Sequence, residues 1–246
     1  MGIFSKIANL FTRKDKSPVS AIILCAGEST RFQSDESKQM ALVNGICVAE
    51  RTIRVFDNCK RIREIVLVVR KEDAQAYKTF IFEKGFAKVK CIVTGGETRQ
   101  ISALRGFKHI SEDSEYVAIH DGARCLITES MINDVIDAAI EYNAATAAYK
   151  VTDTVKISDE NGFIKTTVDR EYVWHVQTPQ VFDTALYKNA LIKAKNDELT
   201  VTDDCMLLEN LDVSVKLVNT GESNIKITFK EDIARAEAIL SQRGDS

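Results

Sequence analysis

The sequence predicts an α/β fold with a doubly wound, mostly parallel sheet and a protruding β-hairpin arm. The first observation is that short apolar and β-branched runs alternate with segments whose apolar residues repeat at helical spacing. The second is that residues 154–168 break this rhythm, because apolar and polar residues alternate there around an Asn-Gly pair suited to a tight turn. Right-handed crossovers between parallel strands would place ligands beyond the carboxyl ends of the strands.

Five apolar runs are predicted to form buried parallel strands, since each is nearly continuous. They span residues 19–25, 64–70, 89–95, 115–121 and 145–151. Between them, apolar residues at helical spacing predict helices that include residues 48–56, 101–107 and 131–139. Beyond the arm, we expect a helix near 183–195, a short helix near 203–210, strands near 213–218 and 224–229, and a last helix.

The domain organisation follows from the absence of a Pro, Gly or Ser-rich linker in the sequence. We expect one domain over residues 19–246, with the arm at about residues 152–172. Residues 1–18 differ from the rest, because apolar side chains at helical spacing lie among basic ones. This basic amphipathic leader either packs on its own domain or frays, or it attaches weakly to an anionic membrane or a partner.

Composition and charge exclude several classes of protein. The chain of 246 residues carries 33 basic and 36 acidic side chains, so no overall positive potential exists to hold nucleic acid. No apolar run approaches the roughly 20 residues of a transmembrane segment. The six cysteines are scattered and never form a C-x-x-C pair, which predicts reduced thiols and a cytoplasmic location.

Three loops follow predicted strands and contain candidate ligand-binding residues. The first runs from Ala26 and Gly27 to Arg31 and precedes Lys38. Backbone N–H groups of such a turn can hold phosphate oxygens, and the two cations can neutralise a triphosphate. The alternative is an ordinary strand end with solvated cations. Neither a Walker A sequence nor G-x-G-x-x-G occurs, which disfavours P-loop ATPases and dinucleotide oxidoreductases.

The second loop contains two glycines, Gly95 and Gly96, and is followed by Ser102. Glycines let the backbone approach a ligand closely, and Thr98 can cap the following helix. The main chain and Ser102 could then recognise a flat base, although a plain glycine turn is equally compatible with this pattern.

The third loop places Asp121 and Arg124 at a strand end, where they either serve a site or form a local ion pair. We assign no chemistry to the preceding His120, since a histidine at a strand edge is more often a structural hydrogen-bonding residue.

Later segments add further candidates. Lys226 alternates with two isoleucines in a predicted strand, so it points away from their apolar face, either to solvent or into a site. Residues 202–204, Thr-Asp-Asp, are interpreted as a helix cap, with a ligand contact from Thr202 left open.

Seven segments, taken in order, resemble the 2-C-methyl-D-erythritol 4-phosphate cytidylyltransferases of the non-mevalonate isoprenoid pathway. The segments are AGESTRF with SKQ, GGETRQIS, HDGARC, VTDTVK, TVDR followed by WHVQTPQVF, VTDD, and NIKIT. They cover about residues 19–241. The resemblance implies a Rossmann-like nucleotidyltransferase that transfers cytidylyl from CTP to a sugar-alcohol phosphate.

The resemblance also implies roles for individual residues. Arg31, Lys38, Arg170 and Lys226 would be catalytic, the first two on the triphosphate and the last two on the acceptor phosphate. The implied substrate-binding residues are Ala26, Gly27, Gly96, Arg99, Ser102, Asp121, Arg124, Thr154, Thr178 and Thr202. Mg²⁺ would be the cofactor. The arm would cross to a second subunit, so that a homodimer shares Thr154 and Arg170 between sites.

Two alternatives stay open at this point. The acceptor could be ribitol 5-phosphate or another sugar-alcohol phosphate, since related enzymes share the glycine loop, the TPQ segment and the NIKIT-like strand. The chain could also be a catalytically silent CTP-binding module, because Ser29 stands where the family usually has a second glycine.

Overall fold

The structure is a computed structural model that describes residues 17–27, 32 and 37–244. The predicted helix of the leader, together with Ser29 and Arg31, lies outside the described residues.

Seven strands form one mixed sheet, which confirms the predicted α/β class. In spatial order they are β11 (Lys216–Asn219), β7 (Ala144–Lys150), β10 (Trp174–Asp183), β6 (Tyr116–Asp121), β1 (Val19–Cys25), β4 (Ile62–Val69) and β5 (Val89–Thr94). β1 pairs in parallel with β4 and β6, β4 with β5, and β7 with β11. Only β10 runs antiparallel to its neighbours β6 and β7.

Two parts of the sheet differ from the sequence prediction. β10 lies near the middle of the sheet, although its segment predicted no strand; its residues are polar at one end and include Pro179. Residues 224–229, all of them described, form no strand. They are held instead by single contacts, such as the hydrogen bond from the Ile227 N–H to the Ala123 carbonyl at 2.8 Å.

Seven helices of the described residues pack on the sheet or beside it. They are α1 (Val48–Asn58), α2 (Ala74–Lys84), α3 (Arg99–Phe107), α4 (Glu129–Tyr142), α5 (Thr184–Asn196), α6 (Cys205–Glu209) and α7 (Glu231–Arg243). Thr98, Thr128 and Asp183 cap α3, α4 and α5, since each side chain accepts a hydrogen bond from a backbone N–H of the first turn. The sequence did not predict α2, in which only Tyr77 is buried.

The core lies on both faces of the sheet, which explains why the central strands are apolar throughout. Ile23 belongs to the layer with Phe56 of α1 and Ile136 of α4. Its neighbour Ile22 belongs to the opposite layer, with Tyr187 of α5. Each such fully buried side chain contributes about 1.5–3 kcal/mol. This rigid double layer fixes the positions of the strand ends.

Two short hairpins lie outside the main sheet. β2 (Leu42–Val43) pairs with β3 (Ile46–Cys47), and β8 (Lys156–Ser158) pairs with β9 (Ile164–Thr167). The second is the predicted arm: its strands are exposed, and Gly162 in its turn has a φ of +84°. No helix among the described residues is long and apolar enough to cross a membrane.

Candidate active site

Two of the predicted loops touch each other at the carboxyl ends of β1 and β5. Gly95 follows β5 and lies against Ala26, which follows β1. A Cβ atom on Gly95 would be 2.3 Å from the Cβ of Ala26 and 2.9 Å from the Ser102 hydroxyl oxygen. Glycine is therefore required at this position, because any side chain would push the two loops apart.

Ser102 holds the glycine loop in shape. Its side chain is buried, and its hydroxyl oxygen accepts a hydrogen bond from the Gly96 N–H at 3.0 Å. Thr98 fixes the start of α3 by accepting from the Ile101 N–H at 3.1 Å. The loop predicted to recognise a base is thus ordered by its own side chains.

Asp121, at the end of β6, is surrounded by three cations. Its carboxylate oxygens lie 2.7 Å from Lys226 Nζ, 3.2 Å from Arg99 Nε and 3.9 Å from Arg124 Nε. Burial alone would raise the pKa of Asp121, but Lys226, Arg99 and Arg124 outweigh this effect and hold the pKa well below its usual range. The site therefore contains one ionised carboxylate and an excess of positive charge.

The Lys226 side chain is partly exposed and contacts the Asp121 carboxylate. Ile225 and Ile227 are buried on either side of it, whereas 36% of the Lys226 side chain is exposed. Arg124 helps to place this segment, because its Nη1 donates to the Asn224 carbonyl at 2.8 Å. Of the two orientations that the sequence left open, the structure has Lys226 directed towards Asp121.

His120 and Thr178 form a hydrogen-bonded chain behind Asp121. The Thr178 hydroxyl oxygen accepts from the Asp121 N–H at 3.0 Å and lies 3.0 Å from His120 Nδ1. Burial lowers the pKa of His120 to about 3, against the opposing effect of Asp121, so the ring is neutral at pH 7. His120 Nε2 lies 3.3 Å from the Arg124 carbonyl, which can only accept. This assigns the proton to Nε2, and Nδ1 then accepts from Thr178.

Arg99 connects Asp121 to a second, buried carboxylate. Its Nη1 lies 2.5 Å from Asp204 Oδ2, and Tyr187 donates its hydroxyl to Asp204 Oδ1 at 2.6 Å. The sequence interpretation of residues 202–204 as a helix cap holds for Asp203, whose Oδ1 accepts from the Met206 N–H at 3.2 Å, whereas Asp204 makes no side-chain capping bond. Nothing in the sequence indicated Tyr187, which lies among the apolar residues of α5.

The other predicted site residues differ in how deeply they are buried. Lys38 is buried in the turn before β2, and the Ala49 N–H donates to the Gln39 carbonyl to hold this turn against α1. Gly27 is exposed just after β1. Thr202 is exposed before α6. Arg31 is not among the described residues.

Arg170 and Thr154 lie on the arm and are exposed. The guanidinium of Arg170 donates to the Thr152 carbonyl at 2.8 Å. Within residues 17–27, 32 and 37–244, no hydrogen bond or ion pair links Arg170 or Thr154 to the Asp121 cluster. The arm and the cluster are thus separate features of one chain.

Comparisons with known proteins identify the family. The model of the family described as IspD, 2-C-methyl-D-erythritol 4-phosphate cytidylyltransferase, matches residues 19–242. The cytidylyltransferase of that name from Caldanaerobacter subterraneus subsp. tengcongensis is 42% identical over 223 residues, which are 90% of this chain and 98% of the relative. That from Alkaliphilus oremlandii is 41% identical over 228 residues, 92% of this chain and 97% of the relative.

Solved structures give the same result. The 4-diphosphocytidyl-2C-methyl-D-erythritol synthase from Anaerococcus prevotii has a TM-score of 0.83 at 37% identity, covering 94% of this chain and 99% of its own. The cytidylyltransferase from Thermus thermophilus has a TM-score of 0.73 at 28% identity, covering 89% of this chain and 98% of its own. The chain belongs to the 2-C-methyl-D-erythritol 4-phosphate cytidylyltransferase family.

Proposed function

We propose that this protein transfers the cytidylyl group of CTP to 2-C-methyl-D-erythritol 4-phosphate and releases pyrophosphate, as a step of isoprenoid synthesis by the non-mevalonate pathway. The family match over residues 19–242 carries the proposal. The cluster of Arg99, Arg124 and Lys226 around Asp121 supports it, because this chemistry needs positive charge at the ends of the strands.

The reaction needs no general base on the protein. The second pKa of a phosphate monoester is about 6, so at pH 7 the acceptor oxygen is already largely deprotonated. This oxygen attacks the α-phosphorus of CTP in line, a new P–O bond forms, and the bond to the β-phosphate oxygen breaks. The electron pair of that bond leaves with pyrophosphate. Catalysis then consists of positioning two polyanions and stabilising charge in the transition state.

The cations divide between the two substrates. Arg31 and Lys38 brace the triphosphate, and Lys226 and Arg170 position the acceptor phosphate. The geometry at Lys226 supports its role, since an ammonium has three donors and only the Asp121 carboxylate is paired with it among the described residues. An incoming phosphate can share this partly exposed ammonium without breaking the ion pair.

The remaining residues bind the sugar and base portions. Backbone groups of Ala26 and Gly27 hold phosphate oxygens, and Gly96 and Ser102 recognise cytosine. Asp121 accepts hydrogen bonds from the ribose or from acceptor hydroxyls. The side chains that complete the pocket are Arg99, Arg124, Thr154, Thr178 and Thr202. For Thr178 the contribution is indirect, because its hydroxyl already serves Asp121 and His120.

Mg²⁺ is part of the proposal as a companion of the nucleotide. Among the described residues, no group of three or more His, Cys, Asp or Glu side chains could hold a metal ion. The carboxylate of Asp121 lies at the site, but its oxygens already face Lys226, Arg99 and Arg124. This donor set suits an ion that takes most of its ligands from phosphate oxygens and water. When bound, Mg²⁺ would neutralise phosphate charge.

A panel of acceptors tests the proposed function. Pyrophosphate release from CTP should occur with 2-C-methyl-D-erythritol 4-phosphate and be at least about 100-fold slower with ribitol 5-phosphate, given how strongly buried polar sites discriminate hydroxyl patterns. The relatives reported above favour the first acceptor over the second. Preference for ribitol 5-phosphate, or tight CTP binding without pyrophosphate release from either acceptor, would contradict the proposal.

We also propose a homodimer built through the arm. Several large apolar side chains are exposed on or next to the arm, namely Ile157, Phe163, Ile164, Tyr172 and Val176. A cluster of exposed apolar side chains on a hairpin is typical of a protein–protein interface. Arg170 and Thr154 would then serve the partner's site, which accounts for their separation from the Asp121 cluster. A cytoplasmic location stays a prediction, based on the six free cysteines.

A further inference from the structure

A buried carboxylate outside the predicted site contacts the site through a single arginine. Asp204 is 1% exposed and precedes α6, a helix that it does not cap. A carboxylate at a helix start usually accepts hydrogen bonds from that helix. Here the neighbouring Asp203 accepts from the Met206 N–H at 3.2 Å, while Asp204 turns inwards to Arg99.

Asp204 is held firmly by three elements. Tyr187 of α5 donates to its Oδ1 at 2.6 Å, and the Asp204 N–H donates to Gln180 Oε1 of β10 at 3.0 Å. Arg99, the first residue of α3, takes the remaining oxygen. The carboxylate is therefore a fixed anchor rather than an adaptable surface charge.

Arg99 spans the distance between this anchor and the site. Its Nη1 pairs with Asp204 while its Nε lies 3.2 Å from Asp121 Oδ1. The Nη2 atom is buried and has no hydrogen-bond partner among the described residues, whereas 25% of the Arg99 side chain as a whole is exposed. A cation in the first turn of a helix opposes the helix dipole, so Arg99 depends on its two carboxylate partners.

We propose that Asp204 is a positioning residue for the cytidylyl transfer. Asp204 holds the Arg99 guanidinium where it also pairs with Asp121. This inference rests on the proposed function. A buried ion pair is in itself weak support for stability, since an apolar replacement is often as stable. The charge at Asp204 is instead useful because it fixes the direction of a guanidinium that also pairs with Asp121 at the site.

The test is a double-mutant cycle with Asp204→Asn and Arg99→Gln, measured by pyrophosphate release. Asp204→Asn should raise KM for CTP or for the acceptor about tenfold, because a small displacement of a substrate-orienting group can cost up to about 100-fold. A purely structural role would reduce the active fraction and hence kcat while leaving KM unchanged. In the Arg99→Gln background the Asp204 substitution should add almost nothing, because the group it positions is gone.

Asp197→Asn is the control, since this exposed carboxylate at the end of α5 pairs with Lys193 and has no contact with Arg99 among the described residues, and it should leave both KM values unchanged. If Asp204→Asn does not fold, Arg99→Lys replaces it: a lysine has no fork to span two carboxylates, and KM should rise. Two results would overturn the inference in an active wild-type enzyme. The first is that Asp204→Asn, or Arg99→Lys if the former does not fold, keeps both KM values of the wild type. The second is that Asp204→Asn raises KM by the same factor in the Arg99→Gln background as in the wild type. A wild type that releases no pyrophosphate would instead overturn the proposed function.

Discussion

At the scale of single residues, His120 shows how a titratable group can serve a site without taking part in its chemistry. The ring is buried, lies tilted against Phe56 with a centroid distance of 4.8 Å, and is hydrogen-bonded at both nitrogens. It joins the Thr178 hydroxyl behind Asp121 to the Arg124 carbonyl. Its neutral form therefore fixes both ends of the turn that presents Asp121 and Arg124.

The lowered pKa of His120 predicts a pH-dependent stability. Because burial lowers the folded-state pKa to about 3, the unfolded chain binds up to one more proton than the folded chain between about pH 3 and pH 6.5. Stability from this residue is fully present above that pH and is lost as the pH falls. Relative to His120→Gln, the wild type should lose stability between pH 6.5 and 5 with a slope approaching 1.4 kcal/mol per pH unit, or about tenfold in the unfolding constant.

Urea unfolding at several pH values in that window measures this slope. Below about pH 5 the lowered pKa of Asp121 adds a similar dependence, so the comparison is made above it. Parallel stability curves for the wild type and His120→Gln would show that His120 is not buried in its neutral form.

At the scale of elements, the site depends on loops that approach one another more closely than side chains allow. The sequence predicted glycine loops after β1 and β5, but their mutual contact could not be predicted because it depends on the order of strands in the sheet. The same limit applies to β10: its polar residues pair with side chains of β6 and of the 220–224 segment, as when Asn224 donates to the Thr178 carbonyl at 2.9 Å. Local periodicity does not reveal such partners.

Gly95→Ala tests the contact between the loops. The new methyl group would meet Ala26 and Ser102 at distances that force one loop to move, so we expect a loss of about 1–3 kcal/mol in the free energy of unfolding. Adding Ala26→Gly removes the nearest atom and should restore part of this loss. Chemical denaturation of the two variants gives both values. Equal stability of Gly95→Ala and the wild type would mean that the loops do not touch.

At the scale of the whole molecule, the chain places cations from distant segments at one edge of a sheet. The sequence predicted the sheet and the arm, and its resemblance to the family implied that Asp121, Arg124 and Lys226 belong to a site. It did not predict that Lys226 lies in an irregular segment, nor that Asp204 and Tyr187 extend the charge network. Tertiary contacts decide both, since the pairs Lys226–Asp121 and Arg99–Asp204 each join residues 105 positions apart.

The central claim is that cations from distant segments hold the two substrates together at one site, and that one of these cations, Arg170, comes from the partner chain. Arg170→Ala and Lys38→Ala should each reduce turnover by about 100-fold or more. Mixed dimers of the two variants contain one site with both residues intact, so purified hybrids should recover about half of the wild-type activity per dimer. Verified hybrids as inactive as their parents would contradict the account.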